Sequence, residues 1–253
     1  MIEADLSVES ALIASGHRCV VGMDEVGRGA LAGPAAVGVA AVSAEVVAEG
    51  SLARVPGLTD SKQLSAGRRE VLVPQIRAWI PTAVGTASPT EIDEHGITGA
   101  LRLAGCRALA ALAQVGMEHP VDVVLLDGSC DWLSSLAADL FESPEEGLDD
   151  AVVPPWRGPV TTRVKADLGC ASVAAASIIA KVERDALMRR LDDVFPGYGW
   201  AGNKGYGTAA HRRAISQHGP SPWHRLTWTL GAEPEKVEAA RAQRAGSGLN
   251  LPG

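Results

Sequence analysis

Short apolar runs, broken by glycine, proline or charge, divide the chain into segments whose lengths separate strands from helices. Residues 19–24 form the first such run and predict a strand that ends at Asp24 and Glu25. Ala35 to Val42 predicts its antiparallel partner. Ser65, followed by Arg68-Arg69-Glu70, suits a helix N-cap and first turn, and predicts a helix to about Ile80 that tolerates Pro74. Thr82 to Ala87 alternates small and apolar residues and predicts a third strand. Ser88-Pro89-Thr90 opens a short helix with proline in its first turn, and Leu101 to Val115 predicts a longer one.

Val121 to Leu126 is a continuous β-branched and aliphatic run ending at Asp127-Gly128, the pattern of a buried central strand. Val160 to Val164 predicts a shorter strand leading to Lys165-Ala166-Asp167. Ala171 to Val194 predicts the longest helix, apolar all round in its first half and alternating in charge in its second. A glycine-rich irregular stretch follows to Thr208, then a helix over 209–217. Residues 1–15 read as a tail with one helical turn, and 233–253 as a frayed helical tail. Strands first, then alternating helices and strands, predict one α/β domain over 16–232 with a mixed central sheet flanked by helices.

Composition narrows the class. A chain of 253 residues with 46% hydrophobic and 21% charged residues is an ordinary globular protein. Six Trp, two Tyr and two Phe leave the core to Ala, Val, Leu and Ile. The net charge of −7 has the wrong sign for a generic nucleic-acid binder. Asp139, Glu142, Glu145, Glu146, Asp149 and Asp150 carry most of that excess, and with Pro154-Pro155 they read as an inserted acidic surface loop over about 137–158. The rest is near neutral and leaves room for a local basic groove. Cys19, Cys106, Cys130 and Cys170 lack metal-ligand spacing and read as reduced thiols, which predicts a cytoplasmic protein. The early acids Glu3 and Asp5 do not suit a signal peptide, and the apolar runs are too short and broken for a membrane span. A monomer is expected.

The candidate chemistry lies in the acids. Asp24, Asp127 and Asp167 each end a predicted strand, and strand ends of an α/β sheet are where sites gather. Together with Glu25 they form a set of four carboxylates that would repel one another unless a cation met them. Mg²⁺ or Mn²⁺ suits oxygen ligands, and two ions about 4 Å apart can clamp the attacking and leaving oxygens of a phosphodiester. Successive strand side chains point to opposite faces, so Asp24 and Glu25 both serve one site only if the backbone bends there or if one of them contributes differently. Asp185 competes as a fourth acid but reads better as a helix-surface charge pair. Asp60 and Asp131 read as loop or capping residues.

Gly27-Arg28-Gly29 lacks the spacing of a dinucleotide-binding fingerprint, though its glycines let a ligand touch the backbone. Backbone amides and carbonyls can read a 2′-hydroxyl, which is both donor and acceptor. Arg28, Lys62, Lys165, Lys181, Lys204 and His218 are candidate phosphate contacts, with Lys62 and Lys204 ahead of the others.

Five ordered blocks resemble the bacterial ribonuclease HII family. They are Val20 to Pro34, Thr59-Asp60-Ser61-Lys62-Gln63-Leu64-Ser65, Leu125-Leu126-Asp127-Gly128, Lys165-Ala166-Asp167 with Ala174 to Val182, and the run from Gly197-Tyr198-Gly199 through Asn203-Lys204-Gly205-Tyr206-Gly207-Thr208 to His218-Gly219-Pro220-Ser221-Pro222. The resemblance implies a ribonuclease H-like fold and metal-dependent hydrolysis of RNA in RNA–DNA hybrids, including single ribonucleotides in duplex DNA. The implied products are a 3′-hydroxyl and a 5′-phosphate, and the implied role is in replication and repair. It places Asp24, Glu25, Asp127 and Asp167 at the metals, the Gly27–Gly29 turn at the ribonucleotide of an RNA–DNA junction, and Tyr206 against the next sugar. The interval from Asp127 to Asp167 is longer than the resemblance leads one to expect. Two rivals remain open: a DNA junction resolvase on the same fold, and a non-catalytic nucleic-acid-binding scaffold.

Overall fold

Strand β1 (Cys19–Val26) is the middle strand of the sheet. In the computed structural model, which describes residues 3–50, 55–134, 154–247 and 249, it lies third in a five-stranded sheet of order β3-β2-β1-β4-β5. Strand β2 (Ala35–Ser43), followed by the short α2 (Ala44–Ala48), pairs with it antiparallel, and β4 (Val123–Asp127) and β5 (Val160–Arg163) continue the sheet parallel on the other side. Strand β3 (Thr82–Ala87) forms the outer edge next to β2. The mixed sheet is the expected one, and its apolar runs are buried as that pattern requires. The acidic stretch 139–150 lies outside the described residues.

Contacts along the chain group it into two units. One comprises Met1–Val26, Ala36–Thr86 and Leu101–Val182; the other comprises Gly27–Ala35, Ala87–Ala100 and Glu183–Gly253. The first unit holds the sheet. The first half of helix α6 (Ala171–Val194) lies against it at unusually close range. A Cβ at Gly22 would stand 2.3 Å from the Ser172 carbonyl carbon, and one at Gly38 would stand 2.2 Å from the Ala176 oxygen. Glycine on the strands and alanine on the helix are what permit that approach. Ala40, Val42, Leu72, Ile76, Ala174, Ile178 and Ile179 form one core cluster, with Leu72 and Ile76 supplied by α3 (Ala66–Trp79). The Ser65 hydroxyl caps α3 by accepting the Arg68 N–H at 3.2 Å, as predicted.

The first fifteen residues are more than a tail. They carry α1 (Ser7–Ala14), with Ala4, Leu6 and Glu9 buried. Glu9 Oε1 accepts the Ser172 N–H at 2.8 Å and its hydroxyl at 2.6 Å, which satisfies donors at the start of α6. Helix α4 (Pro89–Ala113) is long and apolar enough to cross a membrane by length and composition. However, Gly96 (φ 68°) breaks it, and Leu101, Ala104, Ala108 and Leu112 are buried within the protein.

In the second unit, beyond the one-turn α7 (Trp200–Asn203), α8 (Ala209–His218) and α9 (Pro234–Ser247) enclose a cluster of Leu31, Ile215, Leu226, Leu230 and Ala240. Helix α9 is held by Arg244, which bonds Asp93 at 2.8 Å and also the His224 carbonyl. The frayed tail expected there is therefore a docked helix as far as Ser247.

Candidate active site

The parallel register of β1 and β4 pairs Met23 with Leu126, so the next residues, Asp24 and Asp127, lie level on neighbouring strands. Asp24 is 5% exposed. Burial, with the charges of Glu25, Asp127 and Asp167 adding to it, pushes its carboxyl up to about 8. A hydrogen bond with Ser177 opposes that shift. Asp127 is the last residue of β4, and its Oδ1 accepts the Ala166 N–H at 2.7 Å.

Asp167 does not end a strand. It lies in the one-turn helix α5 (Ala166–Gly169), four residues beyond the end of β5. Lys165, in the left-handed conformation at φ 58°, turns the chain into that helix, a local geometry that strand periodicity does not report. Asp167 is also buried. Burial first, then Asp127 and Asp60, raise its pKa to about 6, with Lys62 pulling the other way. The Lys62 ammonium is 4.0 Å from Asp167 Oδ2.

Of the two alternatives for Asp24 and Glu25, the backbone bend is not present. Strand β1 stays paired through Val26, and the turn comes at Gly27 (φ 82°). Asp24 and Glu25 therefore alternate along an extended strand, Asp24 buried and Glu25 half-buried. Asp60 caps the turn Ser61–Gln63 by accepting the Lys62 N–H at 2.8 Å, and it also sits beside Asp167. Ser177 was not singled out from the sequence. It donates to the Ser61 hydroxyl at 2.9 Å and lies beside Asp24. Its place in an Ala-Ser run of a buried helix was the one available signal.

Buried carboxyls whose proton affinities are raised, as at Asp24 and Asp167, form with the neighbouring Asp127 a set of oxygen donors that a hard divalent cation would relieve. Among the described residues, a tighter group is Glu45, Glu118 and His119, whose ligand atoms all lie within 4.8 Å of one another. It borders the Cys19 end of β1, about 16 Å along the strand from Asp24. Its chemistry points away from a metal. Glu45 and Glu118 are exposed, and hydrogen bonds from Ser43 and His119 hold the Glu45 carboxyl down at about 2. Charge already satisfied in solvent has less to gain from a cation than charge that is buried and crowded.

The Gly27–Arg28–Gly29 turn and Tyr206 lie in the second unit. A Cβ at Gly27 would meet Arg184 Nε at 2.1 Å. Arg184, 2% exposed, donates to the carbonyls of Pro34, Lys204 and Ala32 at 2.8, 3.0 and 3.2 Å, and its guanidinium lies 5.7 Å from the Tyr206 ring centroid. The Tyr206 carbonyl is 3.0 Å from His211 Nδ1. Lys204 itself is left-handed (φ 54°) and turns its ammonium to the Ala201 carbonyl. Lys181 is half-buried on α6, while Lys165 and His218 are exposed. Asp185 is 5% exposed, not a surface charge. The charged half of α6 is thus buried in part, at Arg184 and Asp185, which an alternating charge pattern conceals.

The family model described as Ribonuclease HII matches residues 21–230. The chain belongs to the ribonuclease HII family. A ribonuclease HII of Streptomyces avermitilis is 43% identical over 235 residues, covering 90% of this chain and 85% of that protein. The ribonuclease H2 of Pyrococcus horikoshii OT3 superposes with a TM-score of 0.60 at 27% identity, covering 88% of this chain and 99% of that one. A ribonuclease HIII solved in complex with Mn²⁺ shares the fold, with a TM-score of 0.56 at 23% identity, over 90% of this chain and 71% of that one. As a ribonuclease HII family member with this ribonuclease H-like fold, the chain is an endoribonuclease acting on RNA in RNA–DNA hybrids.

Proposed function

We propose that Asp24, Asp127 and Asp167 form the hydrolytic centre of a catalytic domain over 16–232, that Glu25 contributes to it differently, from the alternate position on β1, and that the enzyme also cuts at single ribonucleotides within duplex DNA. The observation that carries this reading is the convergence of three carboxylates from β1, β4 and α5, two of them with proton affinity raised by burial and by one another. Divalent ions bound there, Mg²⁺ or Mn²⁺ and two in number, supply charge that favours ionised water and neutralises the leaving oxygen. Water oxygen bonds to phosphorus as the P–O3′ bond breaks. The departing oxygen takes a proton to become the 3′-hydroxyl, and the 5′-phosphate stays on the other fragment.

The protein's own groups hold that chemistry in place. The Ala166 N–H fixes one oxygen of Asp127, and the Ser177 contact fixes Asp24. Lys62 brings positive charge to Asp167 and to an approaching phosphate. The Gly27–Arg28–Gly29 turn reads the 2′-hydroxyl, Tyr206 packs on the neighbouring sugar, and Lys181 and Lys204 add charge toward the backbone of a cytoplasmic nucleic-acid substrate.

The test is a labelled DNA duplex with one ribonucleotide, incubated with Mn²⁺, with Mg²⁺ and with chelator. Metal-dependent nicking on the 5′ side of the ribonucleotide is expected. Cleavage of long hybrids without that nick would remove the proposed role of the turn, and equal cutting of an all-DNA duplex would favour a resolvase.

A further inference from the structure

Arg225 is fully buried, and the hydrolytic chemistry does not require it. Taking a guanidinium out of water is costly, so its partners show what it is for. They are carbonyl oxygens of a single segment. Nη1 donates to Arg28 at 2.6 Å, Nη2 to Gly27 at 2.5 Å and to Gly33 at 3.3 Å, and Nε to Gly33 at 3.4 Å. The Trp228 ring covers the guanidinium, with its centroid 4.8 Å away. Five donors in a rigid plane can hold several carbonyls in one arrangement, which a lysine cannot.

That arrangement has a consequence for the turn. None of the described peptide bonds is cis, and in a trans peptide the C=O and N–H point in opposite directions. The Gly27 carbonyl shares a peptide with the Arg28 N–H, and the Arg28 carbonyl shares one with the Gly29 N–H. When both oxygens are drawn to one guanidinium, both N–H groups are directed away from it, toward the side where Arg28 and Gly29 are exposed. At Gly29 that side is open, since a Cβ there would meet nothing within 4 Å. Arg184 secures the neighbouring stretch through the Ala32 and Pro34 carbonyls, and joins it to the Tyr206 segment through the Lys204 carbonyl.

We infer that Arg225 is a positioning residue for ribonucleotide selectivity: by holding the carbonyls of Gly27 and Arg28 it presents the adjoining amides, Gly29 above all, to the 2′-hydroxyl of the substrate. The inference rests on the reading of this turn as the ribose sensor. Arg225 itself touches no substrate. Its loss frees the two peptides to rotate, so discrimination between ribose and deoxyribose falls while general duplex affinity stays.

The experiment measures binding by fluorescence anisotropy in chelator, so that nothing is cut, for an all-DNA duplex and the same duplex with one ribonucleotide. Wild-type protein is expected to prefer the ribonucleotide by about five- to tenfold, the worth of one or two hydrogen bonds. In R225K and R225Q the ratio should approach one, with all-DNA affinity within about twofold of wild type. A preserved ratio alongside weaker binding of both duplexes would make Arg225 a purely structural residue and overturn the inference, leaving the sensor intact. Absence of preference in the wild type would remove the sensor reading itself, and the inference with it. Should neither variant fold, ¹⁵N-labelled wild-type protein decides the matter. The Gly29 amide resonance should move on adding the ribonucleotide duplex and not on adding the DNA duplex, and an unmoved resonance refutes the proposal.

Discussion

Replacing Asp24 with Asn should stabilise the metal-free protein near neutral pH while destroying its activity. The Asp24 carboxyl titrates at about 8 in the fold, against an ordinary value of 3.8. A carboxyl with a raised pKa binds its proton more tightly when folded. Its penalty is therefore absent below 3.8, grows with pH, and is complete above about 8. At pH 7 the folded group stays protonated while the unfolded group is ionised, a gap of about three pH units, or roughly 4 kcal/mol as an upper bound. Relaxation and water entry reduce this to about 2–4 kcal/mol, or roughly 5–15 °C in Tm for a chain of this size. Asn keeps the shape and can accept from Ser177, but carries no proton to hold. Calorimetry in chelator at pH 4, 6 and 7.5 should show the two proteins converging at pH 4 and the variant ahead at 7.5. Added Mn²⁺ should then raise the Tm of the wild type and do little for the variant. An Asn variant less stable than wild type by the same margin at every pH would refute the account, because the difference would then not be linked to titration of this carboxyl.

The remaining predictions concern the surrounding structure. Asp127→Asn should lower hybrid cleavage by more than about a hundredfold, since even outer partners of metal ligands cost 10–100-fold; circular dichroism should confirm an unchanged fold, and near-normal turnover would remove Asp127 from the site. Gly22→Ala places a carbon 2.3 Å from the Ser172 backbone and should cost about 3 kcal/mol in urea unfolding, so an unaffected midpoint would mean that α6 moves away freely. Glu9→Ala leaves the Ser172 N–H and hydroxyl at the start of α6 without their acceptor and should cost about 1–3 kcal/mol. Burial raises the Glu9 pKa, so the loss should be greatest at acid pH and shrink as pH rises through the folded value; a loss that grows with pH would show that the ionised form is the one the fold prefers.

What the sequence disclosed follows from how local each signal is. Val20 to Met23 and Val123 to Leu126 are buried on both faces, so continuous apolar runs found β1 and β4, and with them Asp24 and Asp127. The Ser65 cap found α3, because capping is a contact across three residues. Asp167 was found as a residue but misplaced as a strand end, since the turn at Lys165 depends on a left-handed conformation that lysine rarely takes. Arg184, Arg225 and Asp185 look like surface charge in sequence, and only the tertiary fold shows which carbonyls surround the two arginines. Helix α1 is longer than the one helical turn read in residues 1–15, because eight residues with mixed polarity carry too little periodicity, and its buried Glu9 finds its partner 163 positions away.

The register of β1 on β4 also makes the enzyme a reporter of its own folding. Side chains alternate along a strand, so sliding β4 by one residue would turn Asp127 to the opposite face while leaving an apolar strand that still packs. The run Val123 to Leu126 is uniformly buried and offers little to penalise such a slip. Molecules trapped that way would be folded by spectroscopic measures and catalytically silent. The ratio of active-site titre to total protein after refolding thus counts correctly registered sheets, which bulk structural signals average away.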